Sequence, residues 1–401
     1  MNLFAPLPPE TRRLMEGIPS LIDKTFPLPA RFRSNLPADI AELSRLLTSG
    51  RGERGLTYLG RPNLLSAYLR YYLPWNLYRL CRLIPGLGIT IAADDSIKDL
   101  GCGPLTFAAA LWISRPDLRT AALEFFCVDR SRTVLEAGRK FFISFTSGNS
   151  PWKIHTIKGD INTIKTKPVT LTCAINVFNE MYGDISRCTP ESLKRMAKKS
   201  ARLLASGGSR AVLVVEPGFP RCGEFISLLR AGLIECGHSP AAPCPHDNAC
   251  PLPGGMSKKE RWCHFAFDTN DAPSALHDLS HAAGIPKERA VLSFLLASPE
   301  KYSRKGAEKK KGKSQASPQP SRLCASARVN TEEFLRVVSD AFALPENKYG
   351  RYCCSQQGLV LLTGEKNVIE KTHSGALVNA DIKKERDSKS GALIADRFKM
   401  I

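Results

Sequence analysis

At 401 residues and 43% hydrophobic content, the chain has room for two or three domains and a sizeable core. Its 57 lysines and arginines against 38 acids leave a formal charge of +19, which favours a polyanionic partner, nucleic acid before membrane. No apolar run is long enough to span a bilayer, and 13 cysteines behind an opening without an apolar leader (MNLFAPLPPETRRLMEG) argue against a disulfide scaffold.

Residues up to about 93 show no strand alternation and read as a helical N-terminal domain. Residues 38–47 have helical periodicity, and 64–84 form a longer leucine- and tyrosine-rich pattern, broken or kinked at Pro74. Within it Arg61, Arg70, Arg79 and Arg82 are interleaved with Tyr68, Tyr71, Tyr72 and Tyr78. Arginine beside tyrosine can clamp phosphates and stack bases. The plainer reading turns the rings to a core and the arginines to water.

From Ile97 strand and helix alternate. IKDLGCGPLTFAAAL predicts a strand ending at Asp99, a tight turn through Gly101, Cys102 and Gly103, and a helix opening near Leu105. Glycines there permit unusual dihedrals and close ligand approach. The helix offers free N–H groups where a nucleotide docks on an open α/β sheet. Further strands are expected at 124–129, ending in Asp129; at 152–157, before Asp160; at 169–178; and at 211–216. Helices are expected over 133–142, from Thr189-Pro190-Glu191 to Gly207-Gly208, and over 224–235. This alternation means a mainly parallel sheet covered by helices.

D-x-G-x-G differs from the dinucleotide and phosphate-loop patterns. It resembles the first motif of class I S-adenosylmethionine (SAM)-dependent methyltransferases. For such a ligand, Asp129 can accept both ribose hydroxyls and Asp160 the adenine amino group. Asp99 lies near the methionine ammonium or holds the glycine turn. Cofactor-binding residues are thus expected at Asp99, Gly101, Gly103, Asp129 and Asp160, although strand-end loop acids occur in any α/β protein. After the fourth strand, Asn176, Asn179 and Glu180 are the catalytic candidates. They can accept hydrogen bonds from a base, with Glu180 as proton acceptor, or simply cap the next helix. Cys173 lies within the strand, and no Pro-Cys nucleophile stands beside it.

Residues 241–265, AAPCPHDNACPLPGGMSKKERWCHF, are too rich in proline and glycine to bury much, and thiolates around a metal would supply the missing cross-link. Cys244, Cys250 and Cys263 are the candidate ligands. His246 and His264 could complete a zinc site; a fourth thiolate from Cys353, Cys354 or Cys324 would suit zinc or an iron–sulfur cluster. Chance clustering of structural cysteines is the competing reading.

EPG after the fifth strand, then PCPHDNACPL and WCHF, resemble the methyltransferase-like proteins of the small ribosomal subunit, over about residues 58–364. The resemblance implies a class I SAM-methyltransferase (Rossmann-like) α/β fold with a helical N-terminal domain and a cysteine-rich metal-binding insertion. It implies a [4Fe-4S] cluster, alternatively Zn, on Cys244, Cys250, Cys263 and Cys354, with Cys353 in reserve. It also implies SAM-dependent methyl transfer to small-subunit ribosomal RNA during assembly, or a non-catalytic factor that binds SAM and rRNA. Expected partners are that rRNA and the assembling subunit, with no membrane, for a monomer in the bacterial cytoplasm or, in a eukaryote, the mitochondrial matrix. The expected divisions are 1–93; 94–300, including the insertion 241–267; a basic disordered linker, 301–324; a small C-terminal β element, 325–364; and a flexible tail, 365–401.

Overall fold

A computed structural model describes residues 2–50, 58–164, 167–181, 187–255, 261–299 and 332–401. The basic run 304–321, Cys324 and residues 256–260 of the cysteine-rich segment lie outside them.

Helices α1 (Pro9–Thr25), α2 (Ala30–Arg33), α3 (Leu36–Leu47), α4 (Pro62–Ala67) and α5 (Leu73–Leu83) precede the first strand. α4 joins α5 through a π turn, Tyr68–Tyr72, so the irregularity expected at Pro74 lies one turn earlier. Pro74 occupies the first turn of α5, where its missing N–H matters least. These helices have no core of their own. Met15, Ile18, Leu43, Tyr71 and Trp75 share one apolar cluster with Phe107, Phe125 and Leu292 of the sheet layer.

The sheet comprises β1 (Ser96–Leu100), β2 (Glu124–Asp129), β3 (Lys153–Lys158), β4 (Leu171–Ile175), β5 (Ala211–Pro217), β6 (His238–Ala242), β7 (Phe265–Asp268) and β8 (Arg289–Pro299). Its order is β3-β2-β1-β4-β5-β8-β6, with β7 also on β8. The first five strands are parallel and β8 runs antiparallel to β5. The order reverses between β1 and β4, which opens a crevice at their carboxyl ends. This is the class I SAM-methyltransferase arrangement.

Helices α6 (Thr106–Ser114), α7 (Arg132–Phe145), α8 (Phe178–Met181), α9 (Pro190–Ser206), α10 (Pro220–Glu235) and α11 (Ser274–Ala282) fill the crossovers. Alternation along β5 shows both faces in use: Leu213 and Val215 join the α6 side, Val212 and Val214 the α9–α10 side. The central strands are therefore continuously apolar, as a doubly covered parallel sheet requires. α6 is apolar all round, and its fully buried Ala108, Ala109 and Ala110 let α5 close over it.

The C-terminal region departs from expectation. Strands β9 (Glu332–Val337), β10 (Phe342–Ala343), β11 (Tyr349–Ser355), β12 (Gly358–Gly364), β13 (Leu377–Arg386) and β14 (Leu393–Met400) follow the order β10-β11-β12-β14-β13-β9, and β9 closes back on β11. β12 and β14 are parallel and the other pairs antiparallel. A short helix between β12 and β13, Lys366–Glu370, adds Ile369 to the barrel interior. With the two-residue β10 set aside, this is the five-stranded Greek-key order of an oligonucleotide-binding (OB) barrel. Residues 365–401 are thus not a flexible tail: Val378, Ala380, Leu393 and Ala395 fill the barrel. Charged outward positions of both signs, such as Asp381, Lys383, Asp396 and Arg397, obscure that alternation in the sequence.

Candidate functional site

The glycine turn sits at the crevice. Gly101 and Cys102 donate their N–H groups to the Val128 carbonyl at 2.8 and 3.0 Å, which ties the turn to the end of β2. Gly101 has φ +66°, and a Cβ there would meet Val177 Cγ2 at 2.6 Å, so only glycine fits. Asp129 braces the turn: Oδ2 accepts the Gly103 N–H at 3.0 Å and Oδ1 the Ser131 N–H at 2.9 Å. Burial raises the Asp129 carboxyl above its ordinary range. A carboxylate has further lone pairs for two ribose hydroxyls.

Asp99, 1% exposed, accepts from the Cys173 thiol at 3.4 Å, while its Oδ2 has no partner. Burial pushes it up to about 7. Its Oδ1 is thus engaged by β4 and its Oδ2 is left open beside the glycine turn. Asp160 stands after β3, where the Asn162 N–H accounts for a carboxyl held below its usual range and Arg130 pairs with it at 2.9 Å.

The segment after β4 faces this turn. Asn176 has φ +57°, a sparsely populated backbone for a side chain other than glycine. A residue missed in the sequence holds that segment. Glu216, fully buried at the end of β5, accepts the N–H groups of Val177, Phe178 and Asn179 at 3.2, 2.8 and 3.2 Å. An acid closing an otherwise apolar strand was the available signal. Burial pushes Glu216 up to about 8. Of the catalytic candidates, Asn179 is buried, with its Oδ1 unpartnered, and Glu180 accepts from the Tyr58 hydroxyl at 3.1 Å. Asn176 donates to Asn76 Oδ1 at 3.4 Å, so α5 adds a wall that the sequence did not assign. Tyr68 completes it, its hydroxyl acted on by both Glu180 and Asp129.

The cysteine-rich segment connects β6 to β7 and lies against β11. Burial, then Cys250, Cys244 and Cys354, push the Cys263 thiol up, so all four share one electrostatic neighbourhood. Burial raises Cys244 to about 11. Cys353 points into the barrel with Leu335 and Val360, on the opposite face of β11 from Cys354. His246 Nε2 lies 3.2 Å from Cys354 Sγ, whereas His264 stacks on Trp262. Two buried arginines flank the thiols: Arg230 donates to the His246 carbonyl at 2.7 Å, and Arg336 to the Pro243 and Gly375 carbonyls at 2.9 and 2.8 Å. Arg230 Nε and His246 Nδ1 are unpartnered. Among the described residues no three His, Cys, Asp or Glu side chains are grouped so as to hold a metal ion as they stand, and no helix is long and apolar enough to cross a membrane.

Solved structures of similar shape include magnesium protoporphyrin IX methyltransferase from Synechocystis PCC 6803 with bound SAM, at 11% identity and TM-score 0.32, covering 65% of this chain and 97% of that one. Another is the YcgJ protein of Bacillus subtilis, at 10% identity and TM-score 0.30, covering 55% and 96%. Scores this low leave the fold assignment to the strand order. No curated protein matches the chain. The family model for the mitochondrial small ribosomal subunit protein Rsm22 matches residues 93–340, from just before the glycine turn to the first barrel strand. The chain belongs to the Rsm22 family.

Proposed function

We propose that the chain is a SAM-dependent methyltransferase of small-subunit ribosomal RNA that works on the assembling subunit. The braced turn at the switch point carries this reading: Asp129 holds Gly103, Asp99 lies beside it at the end of β1, and Gly101 packs against Val177 of the segment after β4. SAM supplies an electrophilic methyl group, so the protein's task is positioning. Asp129 would hold the ribose, Asp160 the adenine edge and Asp99 Oδ2 the ammonium, while Glu216 fixes the segment presenting the acceptor base. The net charge of +19 and the OB-type barrel support an RNA substrate. The family's name supports the small subunit as partner and the mitochondrial matrix as location.

A [4Fe-4S] cluster on Cys244, Cys250, Cys263 and Cys354, with zinc as the alternative, would clasp the inserted segment to β11. The donor chemistry fits. Four thiolates around either metal centre leave net negative charge, and Arg230 and Arg336 stand beside them.

One observation favours a second reading, a SAM- and rRNA-binding assembly factor that transfers nothing. Glu180, the proton-acceptor candidate, is already engaged by the Tyr58 hydroxyl, and Asn179 is buried away from solvent. Labelled methyl transfer from SAM to immature small subunits separates the two. Label on rRNA that disappears with Asp129→Asn supports the enzyme; SAM and rRNA binding without label supports the factor.

A further inference from the structure

Three of the four arginines interleaved with the tyrosines have an acid at hand. Arg61 acts on Glu42, Arg70 pairs with Asp23 at 3.0 Å, and Arg82 pairs with Asp271 at 2.6 Å. Arg79 differs. It donates to Asn76 Oδ1, and the other titratable groups acting on it are the hydroxyls of Tyr68, Tyr72 and Tyr71. Lys287, between α11 and β8, lies 5.6 Å from the Tyr71 ring centre and 5.7 Å from that of Trp75, and the charged group acting on it is Arg79. Among the described residues no carboxylate acts on either cation.

Ring faces attract a cation without neutralising it, and two desolvated cations that feel each other raise each other's energy. Such a pair is accounted for by an anion that arrives. Asn76 sets its position, because the same Oδ1 that accepts from Arg79 accepts from Asn176 at the end of β4. The adjoining π turn places Tyr68 over the glycine turn, with its hydroxyl 3.9 Å from where a Gly103 Cβ would stand. Irregular turns of this kind recur at functional sites.

We propose that Arg79 and Lys287 form an anion cradle beside the nucleoside pocket and take a carboxylate or phosphate group, either the methionine carboxylate of SAM or a backbone phosphate of the RNA. This rests on the reading of the pocket given above. The test uses the full chain with Arg79→Gln and Lys287→Gln, each checked for native near-ultraviolet circular dichroism. Its probes are SAM, decarboxylated SAM, a single-stranded small-subunit rRNA fragment and inorganic phosphate. Should Arg79→Gln misfold, Lys287→Gln, outside any helix or strand, still gives the answer.

A loss of SAM affinity of about tenfold or more, with decarboxylated SAM unaffected, supports the cradle and assigns it to the donor's carboxylate. Unchanged SAM binding with weaker RNA binding, and a salt slope reduced by about one per cation removed, supports it and assigns it to a phosphate. Folded variants that bind every probe like the parent overturn it. A parent chain that ignores SAM and RNA but binds phosphate through these two cations retains the cradle and removes the functional reading. A parent that binds none of the four probes removes both.

Discussion

The proposed nucleoside pocket and the proposed cysteine clasp are built in opposite ways. The centre of the pocket comes from contiguous chain, a strand, a turn and a helix braced by hydrogen bonds such as Gly103 to Asp129 at 3.0 Å, and Asn76 and Glu216 add walls from elsewhere in the chain. The clasp draws thiols from the segment between β6 and β7 and from β11, about a hundred residues later, with buried arginines in place of short-range bracing. A locally wired site tolerates loss of one contact by strain. A site closed over a long loop fails as a unit.

The sharpest way to break that contrast lies in two adjacent cysteines. We expect Cys354→Ser to lose bound metal and release the barrel from the inserted segment, forfeiting much of a binding free energy on the order of 10 kcal/mol. Cys353→Ser, inside the barrel, should keep its metal and lower stability by about 1–3 kcal/mol. Iron, sulfide and zinc analysis after anaerobic purification, with thermal melts, reads both. Metal retained by Cys354→Ser would remove Cys354 from the ligand set.

In the pocket, Gly101→Ala forces a Cβ onto Val177 in a left-handed backbone. It should destabilise the fold by about 3 kcal/mol in urea titration, the sum of the backbone and packing terms. Glu216→Gln should be milder, about 1–3 kcal/mol, because an amide replaces an acceptor of three N–H groups. Its pH signature is specific. With Glu216 raised to about 8 from 4.5, the native chain holds a proton that the unfolded chain gives up, so stability falls as pH rises across that window. Glu216→Gln should flatten the fall.

How much could be read in advance follows the same division. β1, β2, α6 and α9 were legible because apolar periodicity, a glycine turn and the Thr189 cap lie within a few residues of one another. The cysteine spacing pointed to a clasp but left Cys353 against Cys354 to the resemblance, since only the inward–outward alternation of β11 separates them. β13 and β14 are hard to read because their exposed faces are polar and, although they pair with each other, their other partners, β9 and β12, are distant. Arg230, Arg336 and Asn76 carry no local signal; each matters through what folding sets beside it.

The smallest expected effect belongs to Lys287. Burial lowers it to about 8 from 10.5, so stability should rise modestly as pH climbs through that interval, while anion binding beside the pocket weakens above about 8. Lys287→Gln should remove both trends in pH-resolved calorimetry.

Titrating SAM into the anaerobically purified chain and into Asp129→Asn, which keeps an oxygen for the Gly103 N–H, goes straight to the pocket. We expect saturable one-to-one binding by the parent chain and at least about tenfold weaker binding by the variant, the effect of losing a charged acceptor for two ribose hydroxyls. Equal affinity in the two proteins, or no binding by the parent, would contradict a nucleoside site at this turn.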